Sequence, residues 1–447
     1  MSLMQGSVSK ITVRDVRFPT SLEHHGSDAM HGEVDYSAVY VIVETDADDQ
    51  ITGHGLTFSL GRGNNILAKA AEVISGQITG CRIADIFGNF GVFWRKVTQE
   101  GQLRWLGPEK GVVHMAAAGI FNALWDLWAK RAKKPVWKLL ADMTPTEIVN
   151  LVDFSYITDV LTKEEALKIL EENKPTQGER EEQLRSGGFP AYTTSIAWLG
   201  YSDETLVQKC REALDEGWTK FKMKVGVDVA DDRRRSKLIR DQIGWENQLM
   251  MDANQRWDVN DAIEWMKQLA EFRPVWIEEP TSPDDVLGHA AIAKALEPFN
   301  IGVATGEQCQ NRVIFKQLLQ AKALKFVQID SCRVGSINEN IAILLMAKKF
   351  NVPVCPHAGG VGLCELVQHI AMFDFLCISA TTDGRVCEYV DHLHEHFVYP
   401  VDMRKNSYMP PKDPGYSCEM KRNSLEEYEF PNGRVWTKLI SDGKFKL

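Results

Sequence analysis

The chain of 447 residues is longer than one ordinary domain, and its 44% hydrophobic and 25% charged residues are typical of a globular protein with a large core. Its formal net charge of −10 argues against broad affinity for nucleic acid, because neutralising phosphates requires a basic face. Unbroken apolar runs are much shorter than the roughly 18 residues that span a bilayer, so we expect no membrane segment. Nine scattered cysteines without a CxxC pair, and the lack of a visible presequence, predict a cytoplasmic protein with reduced thiols; a mitochondrial location is the alternative.

The first third of the chain contains strand-like runs followed by helical ones. Three runs with alternating apolar residues, each bounded by turn residues, predict an antiparallel meander. Two later runs have apolar residues at helical spacing, and Pro135 ends the second of them. The strands are predicted at 9–18, 36–46 and 51–60, and the helices at 65–78 and 109–133. We therefore predict an α+β domain over residues 1–145.

From residue 191 onward, short apolar runs alternate with helical ones, which is typical of βαβ units. A charged, helical linker region over residues 146–190 precedes this part of the chain. An irregular, aromatic segment over residues 401–447 follows it, and we expect this segment to pack back on the N-terminal domain. The helices are predicted at 203–216, 231–243, 259–271, 285–296, 312–321, 336–349 and 365–375.

Seven polar residues stand at the ends of short apolar runs within residues 191–400. They follow one another at intervals of 23 to 31 residues, the length of one strand, one helix and two loops. Charged groups at strand C-terminal ends with this period are typical of the active site of a (β/α)₈ barrel. The residues are Lys224, Asp252, Glu278, Glu307, Asp330, His357 and Glu388. We predict an α/β fold with a TIM-type (β/α) barrel over residues 191–400.

Three consecutive members of this series are carboxylates, namely Asp252, Glu278 and Glu307. Adjacent barrel strands bring such residues close together, and three close anions raise one another's pKa unless a cation neutralises them. Oxygen ligands without Cys or His are preferred by Mg²⁺, with Mn²⁺ as a substitute. A single acidic residue in such a place is more often a helix cap, but three in succession predict a metal site.

Two further groups predict acid–base chemistry beside this metal site. Lys222 and Lys224 lie two apart on one strand and therefore face the same side. Each ammonium lowers the pKa of the other, which favours Lys224 as a base and Lys222 as the partner of a substrate carboxylate. Asp330 and His357 end neighbouring strands, where a hydrogen bond would orient the imidazole and raise its basicity. A base and an acid on opposite sides of the metal suit the removal and delivery of protons on one bound molecule.

Several longer motifs are spread over nearly the whole chain. They are RFPTSLEHHGSDAM (17–30), QLRWLGPEKGV (102–112), KMK (222–224), MDANQRWD (251–258), WIEEPTSPDD (276–285), TGEQ (305–308), QIDSCRVG (328–335) and PHAGGVGLCELVQH (356–369). Together they resemble the enolase superfamily, in its mandelate racemase-type subgroup and within it the L-fuconate dehydratase branch.

The resemblance implies that the three carboxylates bind Mg²⁺ and that the residues beside them act on an acid sugar. Lys224 would remove the proton alpha to the carboxylate, and His357, oriented by Asp330, would act as the acid for the departing 3-hydroxyl. Enzymes of this superfamily use Lys or His bases with Mg²⁺ to stabilise an enediolate. The N-terminal domain would cap the barrel mouth with a loop over residues 22–36. The implied substrate contacts are Lys222, Asn254, Glu388, Asp28 and Tyr36.

The predicted function is Mg²⁺-dependent dehydration of an acid sugar, with L-fuconate converted to its 2-keto-3-deoxy acid. A racemase or epimerase is one alternative, because Lys224 and His357 could return a proton instead of expelling the hydroxyl. A dehydratase of another sugar acid is a second alternative. A regulatory or RNA-associated protein that keeps the barrel is an alternative of another class; the acidic net charge and the complete ligand set argue against it. The predicted partners are a small acid sugar and further copies of the chain, with no nucleic acid and no membrane.

The segment DHLHEHF contains three alternating histidines, His392, His394 and His396. We interpret them as surface or substrate-loop residues, because the segment offers no fourth ligand; metal binding is the alternative. The GRGN segment (61–64) lacks the full dinucleotide fingerprint, so we predict no NAD site.

Overall fold

A computed structural model of the chain describes residues 3–446. Its N-terminal part contains an antiparallel sheet of three strands, β1 (Val8–Arg17), β2 (Ser37–Thr45) and β3 (Gly53–Ser59), in the order β1-β2-β3. β-branched and aromatic residues dominate β2, which is buried on both faces between its neighbours and the helices. The predicted meander is therefore confirmed.

Eight helices follow this sheet in the chain and lead to the barrel; the first and the fourth pack on the sheet itself. Two of the eight begin with capping boxes, in which Thr144 or Thr162 exchanges hydrogen bonds with the glutamate three residues later. The helices are α1 (Asn64–Ile78), α2 (Ile83–Phe87), α3 (Phe90–Thr98), α4 (Gly111–Arg131), α5 (Val136–Asp142), α6 (Pro145–Asn150), α7 (Lys163–Asn173) and α8 (Gln177–Gly187).

Helix α4 lies directly on β3 and forms the core of the N-terminal domain. Gly53 and Gly55 make this close packing feasible, because a Cβ at either position would lie 2.2 or 2.3 Å from the backbone of Ala123. Within residues 3–446, α4 is the one helix long and apolar enough to cross a membrane by length and composition, and 83% of its apolar window is buried inside the protein.

The larger sheet is the parallel barrel. Its strands are β4 (Phe189–Ala197), β5 (Lys220–Lys224), β6 (Gln248–Asp252), β7 (Trp276–Glu278), β8 (Gly302–Thr305), β9 (Phe326–Val327) and β10 (Cys387–Tyr389). Each pairs in parallel with the next from β4 to β9, and β10 pairs with β4. The predicted TIM-type barrel is confirmed.

The ring between β9 and β10 is completed by residues 353–357, where we predicted a regular strand. The structure shows an irregular segment instead: Cys355 N–H donates to Val327 O (2.8 Å), and Glu388 N–H donates to Pro356 O (3.0 Å). Pro353 and Pro356 have no N–H to donate, which interrupts the ladder. The chain still holds His357 at the mouth of the barrel.

The barrel helices agree with the sequence-based ranges to within two residues at each end. Most begin where a side chain caps the first turn, as Ser202, Asp228 and Asn311 do. The helices are α9 (Asp203–Asp215), α10 (Val229–Ile243), α11 (Val259–Leu269), α12 (Val286–Leu296), α13 (Arg312–Gln320), α14 (Ser336–Lys349) and α15 (Leu363–Phe373), followed by α16 (Arg422–Tyr428) and α17 (Arg434–Ser441).

The C-terminal segment contacts both parts of the protein. It begins with a hairpin, β11 (Asp402–Arg404) and β12 (Ser407–Met409), which pairs with β4 and so extends the barrel sheet, a contact that we did not predict. The rest packs on the N-terminal sheet as predicted: Phe430 N–H donates to Asp15 O (2.8 Å) and Trp436 Nε1–H donates to Arg17 O (2.9 Å). The domain limits themselves stay predictions.

Candidate active site

A cavity of about 300 Å³ lies between the barrel mouth and the N-terminal domain. Most of the residues that we predicted from the sequence line it, and the N-terminal domain supplies one wall. From the barrel these are Lys224, Asn254, Glu307, Asp330, His357 and Glu388, and from the N-terminal domain Asp28 and Tyr36.

The three predicted metal ligands converge beside this cavity. Ligand oxygens of Asp252, Glu278 and Glu307 all lie within 4.8 Å of one another. The first two stand opposite each other at the ends of β6 and β7. Glu307 lies two residues beyond β8, after Gly306, whose φ is 151°. A Cβ at Gly306 would lie 1.8 Å from Gln328 O, so no side chain fits at this turn. The predicted convergence is confirmed.

The electrostatics of these carboxylates show why they require a cation. Burial and the charge of Asp252 raise the pKa of Glu278 to about 8, although Lys222 opposes the rise. Burial acts in the same direction on Asp252, but Lys224 and Lys222 outweigh it and lower the pKa to about 2. A hard divalent cation such as Mg²⁺ or Mn²⁺ fits this all-oxygen set. The role of the three residues as metal ligands stays a prediction.

Lys222 lies beneath the cavity and outside its lining. Its side chain is 1% exposed, and its ammonium group contacts Glu278 (2.6 Å), Glu388 (2.7 Å) and Asp252 (3.3 Å). The group therefore neutralises buried carboxylates in this structure. Its predicted contact with a substrate carboxylate stays a prediction.

Replacement of Lys222 by methionine is expected to lower the free energy of unfolding by about 3–5 kcal/mol, because it leaves buried carboxylates without their cation. Urea unfolding in EDTA measures the effect, with Lys220→Met, at the opposite end of β5, as the matched control. A loss below about 1 kcal/mol would show that the charge of Lys222 is not required.

Lys224 contacts Asp252 (2.6 Å) and the side-chain oxygen of Asn254 (2.9 Å). We expected Lys222 to depress the pKa of Lys224. Burial and Lys222 do lower this pKa, but Asp252 outweighs them, so the pKa of Lys224 is raised above its ordinary value. The nearest charge, that of Asp252, determines the direction of the pKa shift of Lys224. A cation bound by the carboxylates would offset that charge.

The predicted hydrogen bond between Asp330 and His357 is confirmed, with 2.7 Å between Oδ2 and Nδ1. The other carboxylate oxygen of Asp330 accepts the N–H groups of Cys332 (2.6 Å) and Arg333 (2.7 Å), which fixes its orientation. The remaining ring nitrogen, Nε2, lies 3.2 Å from Glu307. Burial lowers the pKa of His357, but Glu307 and Asp330 outweigh it and raise the pKa to about 9. The imidazole is thus a positioned proton donor.

Glu388 connects the two halves of the site. One oxygen lies 2.7 Å from Nζ of Lys222, and the other accepts the N–H of Ala358 (2.9 Å). Burial raises the pKa of Glu388, but Lys222 and His357 outweigh burial and lower it to about 2. Asn254 holds the ammonium of Lys224. Their predicted contacts with substrate stay predictions.

The cavity wall also contains residues that the sequence did not single out, two from the N-terminal domain and one from the barrel. Tyr36, which we predicted, packs edge-on against Phe58 (5.4 Å between ring centroids). Phe58, Trp198 and His31 also line the cavity. His31 lies inside the predicted capping loop over residues 22–36, and that position could have identified it as a cavity residue. Nothing in the local pattern distinguishes Phe58 and Trp198 from core aromatics.

The three alternating histidines contact different parts of the protein. His392 stacks on Tyr36 (5.3 Å), His394 hydrogen-bonds to Glu365 (2.7 Å), and His396 packs on Phe18 (4.5 Å). Within residues 3–446, the one cluster of side chains that could hold a metal ion is formed by the three barrel carboxylates, and none of these histidines belongs to it. His396 is buried, so the surface interpretation is wrong for that residue.

The ion pair of His394 and Glu365 predicts a pH-dependent stability. Burial lowers the pKa of His394, but Glu365 outweighs it and raises the pKa from 6.5 to about 9. The charged imidazole therefore stabilises the fold fully below about pH 6.5, and this contribution, up to about 3 kcal/mol, is lost as the pH rises to about 9. Urea unfolding should show that the difference between wild type and His394→Gln shrinks from about pH 6 to about pH 9.5. A difference independent of pH would contradict the assignment.

The family of the chain follows from this arrangement and from two matching family models. The mandelate racemase / muconate lactonizing enzyme N-terminal domain matches residues 19–141, and the enolase C-terminal domain-like model matches residues 205–424. A capping domain over a barrel with three carboxylates at successive strand ends is the architecture of this class. The chain belongs to the enolase superfamily, as the sequence motifs predicted.

Individual relatives cover the whole chain. Mitochondrial enolase superfamily member 1 of Xenopus laevis is 62% identical over 445 residues, which are 100% of both chains. The crystal structure of the human protein of that name has a TM-score of 0.97 at 62% identity and covers 98% of this chain and 100% of its own. L-Galactonate dehydratase of Hypocrea jecorina is 50% identical over 432 residues, 95% of each chain.

Proposed function

We propose that this protein is a Mg²⁺-dependent acid-sugar dehydratase, a hydro-lyase, with L-fuconate as its substrate. One observation carries the proposal. Lys224 and the Asp330–His357 pair line a single cavity and contact different members of the cluster of three carboxylates that we predict to bind metal. A base and an acid on either side of a bound sugar acid are what the loss of water requires. The relative that is named L-galactonate dehydratase supports this class of substrate.

The choice of L-fuconate over L-galactonate depends on one end of the molecule. The two acids differ only at C6, which is a methyl group in L-fuconate and a hydroxymethyl group in L-galactonate. Phe58 and Tyr36 from the N-terminal domain and Trp198, which directly follows β4 of the barrel, give part of the cavity an aromatic surface. Such a surface suits a methyl group better than a hydroxymethyl group.

In the proposed reaction, water leaves across C2 and C3. Lys224 takes the C2 proton, and His357 gives its Nε2 proton to the 3-hydroxyl, which departs as water. Asp330 accepts from Nδ1, so it holds the ring in the orientation that leaves Nε2 for the substrate. The enol product becomes the 2-keto-3-deoxy acid. When bound, Mg²⁺ supplies positive charge beside the substrate carboxylate and offsets the anions that raise the pKa of Lys224.

Incubation with sugar acids in D₂O tests the proposal. Wild-type protein with Mg²⁺ should convert L-fuconate to the keto acid faster than L-galactonate. His357→Asn should still exchange the C2 proton for deuterium but form little keto acid. Deuterium at C2 without keto acid in the wild-type reaction would instead identify an epimerase or racemase.

Mg²⁺ itself should stabilise the folded protein, because the three carboxylates exist as a group only in the folded state. At a free concentration of about 100 times its Kd, Mg²⁺ should add about 2.7 kcal/mol to the free energy of unfolding. Thermal unfolding with Mg²⁺ and with EDTA measures this, and EDTA should abolish turnover. An unchanged melting temperature together with turnover in EDTA would contradict the proposed cofactor.

We also infer a mitochondrial location, the alternative that the sequence left open. Relatives that are 62–63% identical carry the word mitochondrial in their names. Fractionation of cells that express the tagged full-length chain tests this, and recovery in the cytosol alone would contradict it.

A further inference from the structure

A short turn of the barrel holds the Asp330–His357 pair in place. Oδ1 of Asp330 accepts the backbone N–H groups of Cys332 (2.6 Å) and Arg333 (2.7 Å). Its other oxygen, Oδ2, lies 2.7 Å from Nδ1 of His357. Both donors belong to the turn over residues 331–336, which connects β9 to the first residue of α14. The orientation of the carboxylate, and through it that of the imidazole, therefore depends on how the 331–336 turn is anchored.

Asn122 of α4 anchors this turn at both of its ends. Its Nδ2 donates to the carbonyl oxygens of Ser331 (3.3 Å) and of Leu56 in β3 (3.0 Å). Its Oδ1 accepts the hydroxyl of Ser336 (2.6 Å). The asparagine and both serines are buried, so water does not compete for these hydrogen bonds. One side chain of the N-terminal domain thus fixes the first and the last residue of the turn that orients Asp330.

The backbone of the turn is strained at the end that Asn122 holds. Ser336 has a φ of 67°, in the left-handed region that a residue with a Cβ rarely adopts. Such a conformation persists only where the surrounding structure imposes it, and it is concentrated at functional sites. Trp94 of α3 also holds this end, because its Nε1–H donates to Gly335 O (2.6 Å). The N-terminal domain therefore imposes a conformation that the turn would not adopt by itself.

We propose that Asn122 is a positioning residue for the general acid of the reaction. By fixing the 331–336 turn, it sets the orientation of Asp330 and so directs Nε2 of His357 at the departing hydroxyl. The inference rests on the proposed function, because it assumes that His357 protonates a leaving group.

The base of the proposed reaction is held by other contacts. Lys224 lies 2.6 Å from Asp252 and 2.9 Å from the side-chain oxygen of Asn254. Neither contact involves the 331–336 turn. Loss of Asn122 should therefore impair the delivery of a proton at C3 and leave the removal of the proton at C2 unchanged.

Incubation of the full-length variants with Mg²⁺ and L-fuconate in D₂O measures both steps. Asn122→Ala should slow keto-acid formation about 10- to 100-fold, the loss that a misplacement of about 1 Å causes. The total rate of C2 proton removal, measured as deuterium exchange plus keto-acid formation, should stay close to that of the wild type. The fraction of removed protons that leads to keto acid therefore falls, a change that a merely structural role would not produce.

A second variant keeps the test valid if Asn122→Ala does not fold. Ser336→Gly removes the hydroxyl that binds Asn122, and glycine adopts a φ of 67° without strain. This variant should fold and should lower the same fraction in the same direction.

Asn338→Ala is the matched control. Asn338 is a buried asparagine of α14 that accepts Nε1–H of Trp125 in α4 (3.0 Å) and donates to Leu151 O (2.9 Å). Its loss removes contacts between the same two helices but none to the 331–336 turn. The melting temperature should fall about as much as in Asn122→Ala, whereas the fraction of removed protons that leads to keto acid should not change.

The His357→Asn background gives an independent readout. If Asn122 acts through the imidazole, adding Asn122→Ala to His357→Asn should not slow keto-acid formation further, because the group that it positions is already absent. Losses that multiply would show that Asn122 acts elsewhere.

The outcomes distinguish this inference from the proposed function. Equal losses of C2 proton removal and keto-acid formation in the Asn122 and Ser336 variants, or no loss in either, would overturn the assignment of Asn122 and leave the proposed function standing. Formation of no keto acid by the wild-type protein from any sugar acid would refute the proposed function and this inference with it. A selective loss of keto acid that Asn338→Ala does not share supports both.

Discussion

Lys224→Ala is expected to lower the turnover of L-fuconate by about 10³-fold or more, the contribution of a well-placed general base. The ammonium group contacts Asp252 and Asn254 and borders the cavity, with 11% of the side chain exposed. An alanine leaves no group at this position that can take the C2 proton. The rate of keto-acid formation and the rate of C2 deuterium exchange should therefore fall together.

The fold should survive this substitution, which makes the loss interpretable. Lys222 still neutralises Asp252, Glu278 and Glu388 from below, so alanine at position 224 does not leave them without a cation. Lys220→Ala, at the opposite end of β5, is the matched control and should keep wild-type turnover. Residual activity of Lys224→Ala within tenfold of wild type would refute the assignment of the base.

Glu278→Gln is expected to abolish turnover and to weaken Mg²⁺ binding by about 100-fold or more, since even groups that only support metal ligands contribute 10- to 100-fold. A neutral amide removes one of the three charges that converge within 4.8 Å. It also lacks one of the two oxygens that a hard cation prefers. Titration with Mg²⁺, followed by calorimetry, measures the affinity directly and separates loss of metal from loss of catalysis.

The metal-free fold should tolerate this change because of the charge state of Glu278. Burial and the charge of Asp252 disfavour the ionised form of Glu278 in the absence of metal, since both raise its pKa, and glutamine closely resembles the protonated form. Glu297→Gln, at an exposed position, is the control and should leave affinity and turnover unchanged. Wild-type Mg²⁺ affinity in Glu278→Gln would refute its assignment as a ligand.

Much of the fold and the central part of the site could be predicted from the sequence because both depend on local, periodic information. Strand ends recur at the period of a βαβ unit, and Asp252 and Glu278 end their strands as that period requires. Parallel strands of one barrel bring such ends together whatever the loops do. The antiparallel meander and the barrel helices have equally clear apolar spacing.

The remaining features depend on contacts between residues that are distant in sequence. The sign of the pKa shift of Lys224 depends on Asp252, 28 residues away. The pairing of β12 with β4 and the irregular segment that completes the ring depend on which backbone groups find partners after the barrel closes. No periodic pattern in the sequence encodes these relations.

By itself, then, the sequence of this protein determined a capped barrel, its family and the residue types at the strand ends, because these follow from short-range periodicity and from motifs. Only the tertiary structure decided which of those residues are buried and which charged groups they contact. It buried Lys222 among three carboxylates, and it buried the side chain of Asp28, which is 8% exposed, while leaving that of the neighbouring His31 37% exposed. Both results have the same physical reason: burial and electrostatic interaction depend on distances in the folded protein, and these distances are set only when the capping domain and the barrel pack together.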